Sequence, residues 1–307
     1  MKTVVFTGAT SFLGAHLLRE LLREGHVVYA LVRGDSTRLG QLPAGDRLHL
    51  LYGSLDDLDI VREAVSRADL WIHFAWHGSG SRNRADREVQ SRNVAYSVRA
   101  LQIADELGCR QFIFSGSQAE YGDKSGVIRE SMECLPISEY GKAKLEFSGR
   151  AEAYCRNVQM DFIHLRIFSV YGPGDRAGTL VDDCIRKFNT GQNLVLGPCT
   201  QEWNYLYIDD FAAIVMRLIE NGCASGIYNV GSDDTRVLRE YVLKIYEMSN
   251  GTGTYEFGES CTNPERSPSL RPDISRLLET IGDFRMTSFE EGIRKTMDAT
   301  GMECEKA

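Results

Sequence analysis

Tyr140 and Lys144 stand four residues apart in the run Tyr140-Gly141-Lys142-Ala143-Lys144. On a helix that spacing sets both side chains on one face, a turn apart. A free tyrosine phenol titrates at about 10, too high for ready proton exchange at neutral pH. A fixed ammonium beside it favours the phenolate and brings the pair into the range of acid/base work. An amphipathic helix with one half-buried tyrosine and a solvated lysine would show the same spacing. The elements around the pair must therefore decide.

The N-terminal third supplies a setting. Lys2 to Thr7 reads as a buried strand and runs into Thr7-Gly8-Ala9-Thr10-Ser11-Phe12-Leu13-Gly14. Leu13, Leu17, Leu18, Leu21 and Leu22 then recur at helical spacing, and Gly25 marks the stop. In a strand–turn–helix unit of this kind, small residues let the backbone approach a pyrophosphate. The helix N-terminus adds N–H groups and the positive end of its dipole. Gly8, Thr10, Ser11, Phe12, Leu13 and Gly14 are thus candidate dinucleotide contacts. Ser11 stands where a middle glycine is usual, and a plain strand–helix turn would read similarly.

A second strand, His26 to Val32, ends in Arg33-Gly34-Asp35-Ser36-Thr37-Arg38. An acidic residue near this point would hydrogen-bond a ribose 2′-hydroxyl. The first polar residue is instead Arg33, with Ser36 and Arg38 behind it, which suits a 2′-phosphate and favours NADP(H), with NAD(H) as the alternative. Asp35 could still take the ribose and leave Arg33 solvated.

Strands at Leu48 to Tyr52 and Asp69 to Phe74 follow. The first leads to Ser54 and Leu55, the second to Ala75-Trp76-His77-Gly78-Ser79-Gly80. Loops at strand C-termini hold ligands in open parallel sheets. Ser54, Leu55 and Ala75 therefore join the cofactor candidates, and Trp76 is a candidate substrate contact. His73 and His77 have no carboxylate or cysteine at ligand spacing, so they read as strand-end and loop residues and no metal site is expected.

A long helix is predicted over about 85–107, with a fifth strand from Gln111 to Phe114. That strand ends in Ser115-Gly116-Ser117-Gln118-Ala119-Glu120-Tyr121-Gly122. Ser138 caps the helix bearing Tyr140, and Asp161 to Arg166 is a sixth strand. This alternation describes an α/β fold, a doubly wound parallel sheet, with the serine turn and the Tyr140 helix both at its ligand edge. Beyond Gly174 the pattern shortens into helices at 179–188, 210–219 and 237–248, divided by loops such as Asn263 to Pro272. That portion reads as a smaller mixed α/β substrate lobe. The expected division is 1–166 for the nucleotide-binding part, with a segment at about 205–230 returning to it, and 167–307 mainly for the lobe.

Composition narrows the class. A net charge of −8, from 35 basic and 43 acidic residues, speaks against a general nucleic-acid or anionic-membrane binder. The longest apolar stretch, Phe211 to Ile219, contains Arg217 and is too short to span a bilayer. The eight cysteines are scattered, without a Cys-x-x-Cys or zinc spacing, and read as reduced thiols. The N-terminus enters directly into a strand, with no signal or transit pattern, so a cytoplasmic location is expected.

With these residues in view, the chain resembles the extended short-chain dehydrogenase/reductase family, in its nucleotide-sugar epimerase/dehydratase branch. The resemblance rests on Thr7 to Gly14, Asn93, Phe114 to Ser117 leading to Tyr121-Gly122, Tyr140 to Lys144, and Leu165 to Gly174. It continues through Tyr205 to Asp210, Ile227 to Gly231 and, more weakly, Phe289 to Ile293. It implies a Rossmann sheet and a catalytic Ser117, Tyr140 and Lys144. Ser117 would hydrogen-bond the substrate oxygen, Tyr140 would pass the proton, and Lys144 would tune Tyr140 and hold the nicotinamide ribose.

Three departures shape the expected activity. Ser11 replaces a glycine, which its small size should allow. Gln118 and Ala119 stand where the family's dehydratases carry an acid pair, which argues against a 4,6-dehydratase. Ser169 and Trp203-Asn204 replace an Asn and an Arg-bearing segment expected to touch substrate. Gln118, Ser169 and Arg266 join Trp76 as substrate candidates, Arg266 being preferred to Arg271 as the pyrophosphate arginine. The resemblance thus implies an NADPH-dependent nucleotide-sugar 4-ketoreductase, with an NAD-dependent 4-epimerase as the alternative. A non-catalytic NADP-sensing regulator is a third option, one with no need for the three catalytic residues together. It also implies a homodimer through helices at about 85–107 and 139–156.

Overall fold

The computed structural model describes residues 1–80, 83–220, 222, 225–249, 251–258 and 270–301. The first half runs β1 (Thr3–Thr7), α1 (Phe12–Arg23), β2 (Val27–Val32), β3 (Leu48–Tyr52), α2 (Asp59–Ala64), β4 (Leu70–His73), α3 (Arg87–Glu106), β5 (Gln111–Ser117) and β6 (Val127–Ile128). It continues with α4 (Glu139–Val158), β7 (Asp161–Ile167), β8 (Ser169–Tyr171), α5 (Leu180–Asn189), β9 (Asn193–Leu196), β10 (Glu202–Tyr207) and α6 (Ile208–Glu220). The last part is β11 (Gly226–Val230), β12 (Thr235–Val237), α7 (Leu238–Met248), β13 (Thr254–Phe257), β14 (Arg271–Pro272), α8 (Ser275–Ile281) and α9 (Phe289–Thr300).

Seven parallel strands form the central sheet in the order β11-β7-β5-β4-β1-β2-β3. Its central strands are apolar on both faces, as a parallel sheet covered by helices on both sides requires. In β1, Val4 and Phe6 point into the core shared with Leu17, Leu18 and Leu21 of α1 and Phe211 of α6. Val5 points into the opposite core with Val61 of α2, Val94 and Leu101 of α3 and Phe147 of α4. Adjacent residues of β4 and β5 divide the same way, Ile72 and Ile113 to the first face, Trp71 and Phe112 to the second. This period-two alternation gives the doubly wound architecture.

The ends of several elements differ from the sequence reading. The fifth strand extends past Phe114 to Ser117 because Gly116 and Ser117 pair with Arg166 and Ile167 of β7. The long helix is Arg87–Glu106, started by Asp86, whose carboxylate accepts from the Glu88 and Val89 N–H groups. β11, seen beforehand only through the resemblance, pairs with β7 and becomes an edge of the main sheet. Three smaller sheets lie beyond it: β12-β10-β8, β13-β9 and β14-β6.

Asn204 is one of the residues expected to alter a substrate contact, yet it is wholly buried in β10. Its Nδ2 donates to the carbonyls of Ser232 and Asp234 and to Thr235 Oγ1, and its Oδ1 accepts from the Ser232 N–H. It therefore pins the 232–235 turn rather than facing a ligand. Asn204→Ala leaves these groups unmet, so the unfolding free energy should fall by at least about 2 kcal/mol. Chemical denaturation reads this directly, and a change within error would contradict the structural role.

Candidate active site

β1 delivers the nucleotide turn. Gly8 takes φ +90, a conformation that suits glycine, and a Cβ there would lie 2.5 Å from the Ala75 backbone nitrogen at the end of β4. A Cβ on Gly14 would collide with the Gly8 carbonyl, so the helix sits directly on the turn. Ser11 has a positive reason to replace glycine. It is the N-cap of α1, its Oγ accepting from the Gly14 N–H at 3.0 Å with extended backbone. The first turn of α1 is left facing a cleft of about 770 Å³.

That cleft gathers most of the expected residues. Gly8, Thr10, Ser11, Phe12 and Leu13 line it from the turn, Arg33 from the end of β2, and Ser54 and Leu55 from the end of β3. Ala75 and Trp76 line it from β4, Ser117 from β5, and Tyr140 and Lys144 from α4. Gly14 is buried behind the turn. Gln118, in the 3-10 turn after β5, and Ser169, in β8, lie outside the lining. Arg266 lies outside the described residues. Arg271 is in β14, where its exposed guanidinium is 3.9 Å from Glu202.

In the segment after β2, Arg33, Asp35, Ser36, Thr37 and Arg38 all line the cleft. Arg33 Nε lies 3.5 Å from Asp35 Oδ1 with both side chains exposed, a pair worth little energetically. Two charged lining residues were missed from the sequence. Asp175 and Arg176 directly follow Gly174, the last residue of the matched motif. Asp175 accepts from the Arg176 N–H and from Thr179 Oγ1. Burial raises its pKa against the pull of those bonds.

The catalytic candidates meet at the sheet's C-terminal edge. Tyr140, Lys144 and Ser148 share one face of α4, and all three are buried. Lys144 Nζ donates to the Ser115 carbonyl at 2.6 Å and lies over the rings of Trp76 at 3.8 Å and Phe114 at 4.5 Å. It is 5.6 Å from the Tyr140 ring centre. Burial lowers its pKa to about 7; Glu120 opposes the shift and Arg84 adds to it. His73 fills the space below, its Nδ1 2.8 Å from Thr7 Oγ1 and its Nε2 2.9 Å from Ser97 Oγ. Burial, with the Lys144 charge, lowers its pKa to about 3, so it stays neutral. Among the described residues no group of three or more His, Cys, Asp or Glu could hold a metal ion.

Ser117 is held by a residue that the sequence reading left without a role. Its Oγ accepts from the Ala119 N–H at 3.2 Å, and its own N–H donates to Glu120 Oε1 at 2.7 Å, a capping box. Glu120 has no exposed surface. His164 Nε2 lies 3.0 Å from Oε1, and Arg166 Nε donates to Oε2 at 3.2 Å. Burial raises the Glu120 pKa, but attraction to His164 and Arg166, with the bonds from His164 and the Ser117 N–H, outweighs it, and the net direction is down. His164 Nδ1 lies 2.8 Å from Ser148 Oγ, which ties the network to α4. Gly116 makes it possible, because a Cβ there would strike the His164 ring.

The fold is a Rossmann-like α/β sheet, and the turn after β1 shares one cleft at its edge with Ser117, Tyr140 and Lys144. The chain belongs to the NAD dependent epimerase/dehydratase family, whose sequence profile matches residues 4–231. It is 25% identical over 303 residues to a CDP-abequose synthase of Salmonella muenchen, covering 96% of this chain and 97% of that protein. Among solved structures it is similar to MoeE5 in complex with UDP-glucuronic acid and NAD, with a TM-score of 0.85, 24% identity, and coverage of 97% of this chain and 99% of the other. It is also similar to UDP-N-acetylglucosamine 4-epimerase from Methanobrevibacter ruminantium M1 in complex with UDP-N-acetylmuramic acid. There the TM-score is 0.86, the identity 22%, and the coverage 97% and 98%.

The buried Lys144 has a thermodynamic signature. Its folded pKa of about 7 lies below the ordinary 10.5, so the unfolded chain binds the extra proton between those values. The charge therefore opposes folding below about 7, and the penalty fades as pH rises toward 10.5. Lys144→Met should be favoured over the parent at about pH 6 and lose that advantage by about pH 10, the unmet Ser115 carbonyl costing it something throughout. Denaturant titration at both pH values checks this; a pH-independent difference would count against a desolvated ammonium.

Proposed function

We propose that the protein is an NADPH-dependent reductase acting on the C4 keto group of a nucleotide-linked 4-keto-6-deoxy sugar. The observation that carries this reading is the Ser117–Tyr140–Lys144 cluster, set in the cleft without a dehydratase acid. Positions 118 and 119 are Gln and Ala, and the next residue, Glu120, is turned into the core and committed to Ser117, His164 and Arg166. It is not available to expel water from a sugar.

The residues of the cleft fit a nicotinamide dinucleotide. The Gly8–Leu13 turn would hold its pyrophosphate, Arg33 with Ser36 and Arg38 a 2′-phosphate, and Lys144 the nicotinamide ribose. When bound, such a cofactor supplies hydride chemistry at the sugar carbon. The chain supplies the rest. Ser117 Oγ already accepts from Ala119, so its hydroxyl proton is the part left to donate to a substrate oxygen. Tyr140 gives its phenol proton to the same oxygen, and the Lys144 ammonium favours the resulting phenolate. Trp76, Ile167 and Phe168 add apolar surface to the same cleft. In this reading residues 1–166, with the return at 205–230, hold mainly the cofactor, and 167–307 mainly the nucleotide sugar.

A 4-epimerase is the second reading, favoured by the relatives whose structures hold NAD or a UDP-linked sugar. Heat-denaturing the purified protein and identifying the released nucleotide separates the two. Bound NAD favours the epimerase; an empty protein that consumes NADPH with a CDP-, dTDP-, GDP- or UDP-4-keto-6-deoxy sugar favours the reductase.

Two variants test the roles. Tyr140→Phe keeps the ring and removes the hydroxyl, so turnover should drop by at least about 100-fold with NADPH affinity nearly unchanged. A variant retaining more than half the parent rate would end the assignment. Arg33→Ala should weaken NADPH by about 1–3 kcal/mol and leave NADH almost untouched. Equal losses for both cofactors would transfer the ribose role to Asp35.

A further inference from the structure

The loop after β4 folds back over the catalytic helix and brings a second cation to it. The Arg84 guanidinium lies 4.2 Å from the centre of the Tyr140 ring, and the Arg84 carbonyl accepts from the Tyr140 N–H at 2.9 Å. The same backbone bond satisfies one of the open N–H groups in the first turn of α4. Gln90, almost wholly buried in α3, fixes the loop. Its Oε1 accepts from Trp76 Nε1 at 2.8 Å, and its Nε2 donates to the carbonyls of Gly78 at 3.0 Å and Asn83 at 2.9 Å. One amide thus sets the ring that covers Lys144 and the backbone that leads into Arg84. The edge of Trp76 also meets the Tyr140 ring, at 6.2 Å between centres.

We propose that Arg84 is a positioning residue for proton transfer, a second cationic partner that holds a permanent charge against the Tyr140 phenol and favours its ionised form. Tyr140 then lies between two cations, Arg84 from the loop and Lys144 from its own helix. The two differ in kind. Lys144 is desolvated enough to lose its proton near neutrality, while a guanidinium stays charged throughout. Arg84 therefore keeps a charge beside the phenol where Lys144 alone would supply it only in part. Among the described residues, other ionisable groups stand on the elements around the pair. Glu120 faces it from the turn after β5 and is engaged by His164 of β7 and Arg166. His73 of β4 stays neutral, and Glu139 on α4 is paired with Lys142.

This inference rests on the reading of Tyr140 as the proton-transfer group, but its test does not need the substrate. The phenolate absorbance of the whole protein is followed against pH, and the Tyr140→Phe curve is subtracted to isolate the Tyr140 step. The subtraction removes the other tyrosines, of which Tyr121, Tyr171, Tyr205, Tyr207 and Tyr241 are in any case held above the ordinary phenol range by burial. Arg84→Met keeps the length and removes the charge, and should move the step up by about one pH unit or more. Arg84→Lys keeps the charge and should hold it within about half a unit of the parent. The proposal is overturned by an unmoved step in Arg84→Met, by equal shifts in both variants, or by a parent Tyr140 that titrates no lower than an ordinary phenol. Survival of turnover in Tyr140→Phe would sink the functional reading instead, whatever the titration shows.

Discussion

The structure depends most on a lysine ammonium held inside it. Lys144 is 2% exposed, bonded to one backbone carbonyl and covered by two aromatic faces. A charge in that position is costly unless it is paired and hydrogen-bonded. The chain meets the cost by converging three elements on one point: the end of β5 for the carbonyl, α4 for the lysine, and the loop after β4 for the indole. Any large shift of one against another would leave the ammonium without partners. The same convergence brings Ser117, Tyr140 and the nucleotide turn to one cleft.

A second buried charge steadies the first. Glu120 sits under Ser117, tied to β7 through His164 and Arg166 and to α4 through His164 and Ser148. Such a network is high-stakes, because a carboxylate left with too few partners in the core would destabilise the protein strongly. Here it turns three separate elements into one frame beneath the serine. Gly116 belongs to that frame as much as any polar residue, since only a missing side chain leaves room for His164.

The central sheet explains why this frame stands at the ligand edge. All seven strands run parallel, so their C-termini, with Thr7, Val32, Tyr52, His73 and Ser117, end on the same side. The loops that leave them carry cofactor and substrate candidates together, while the aliphatic residues below hold the strands between two helical layers. Stability and chemistry are thereby separated along each strand. The body of each strand is packed for burial, and the polar candidates lie at some strand ends and in the loops that follow.

What the sequence alone determined is local. The pairing of Tyr140 with Lys144 follows from helical period, the nucleotide turn from a strand, small residues and a helix cap, and the sheet from alternating apolar runs. Each depends on residues within a few positions of one another, where period and turn chemistry act. The tertiary structure alone decided the surroundings of that site. Nothing beside Glu120 in the sequence marks it as buried, since its partners His164 and Arg166 lie 44 and 46 residues away. Arg84, Asp175 and Arg176 carry no sequence signal of a role, and Asn204 reads as a substrate position, until strand pairing and loop packing place them. Whether a charge or an amide is buried depends on what the rest of the chain brings to it, and that is set by long-range packing, which no short window of sequence contains.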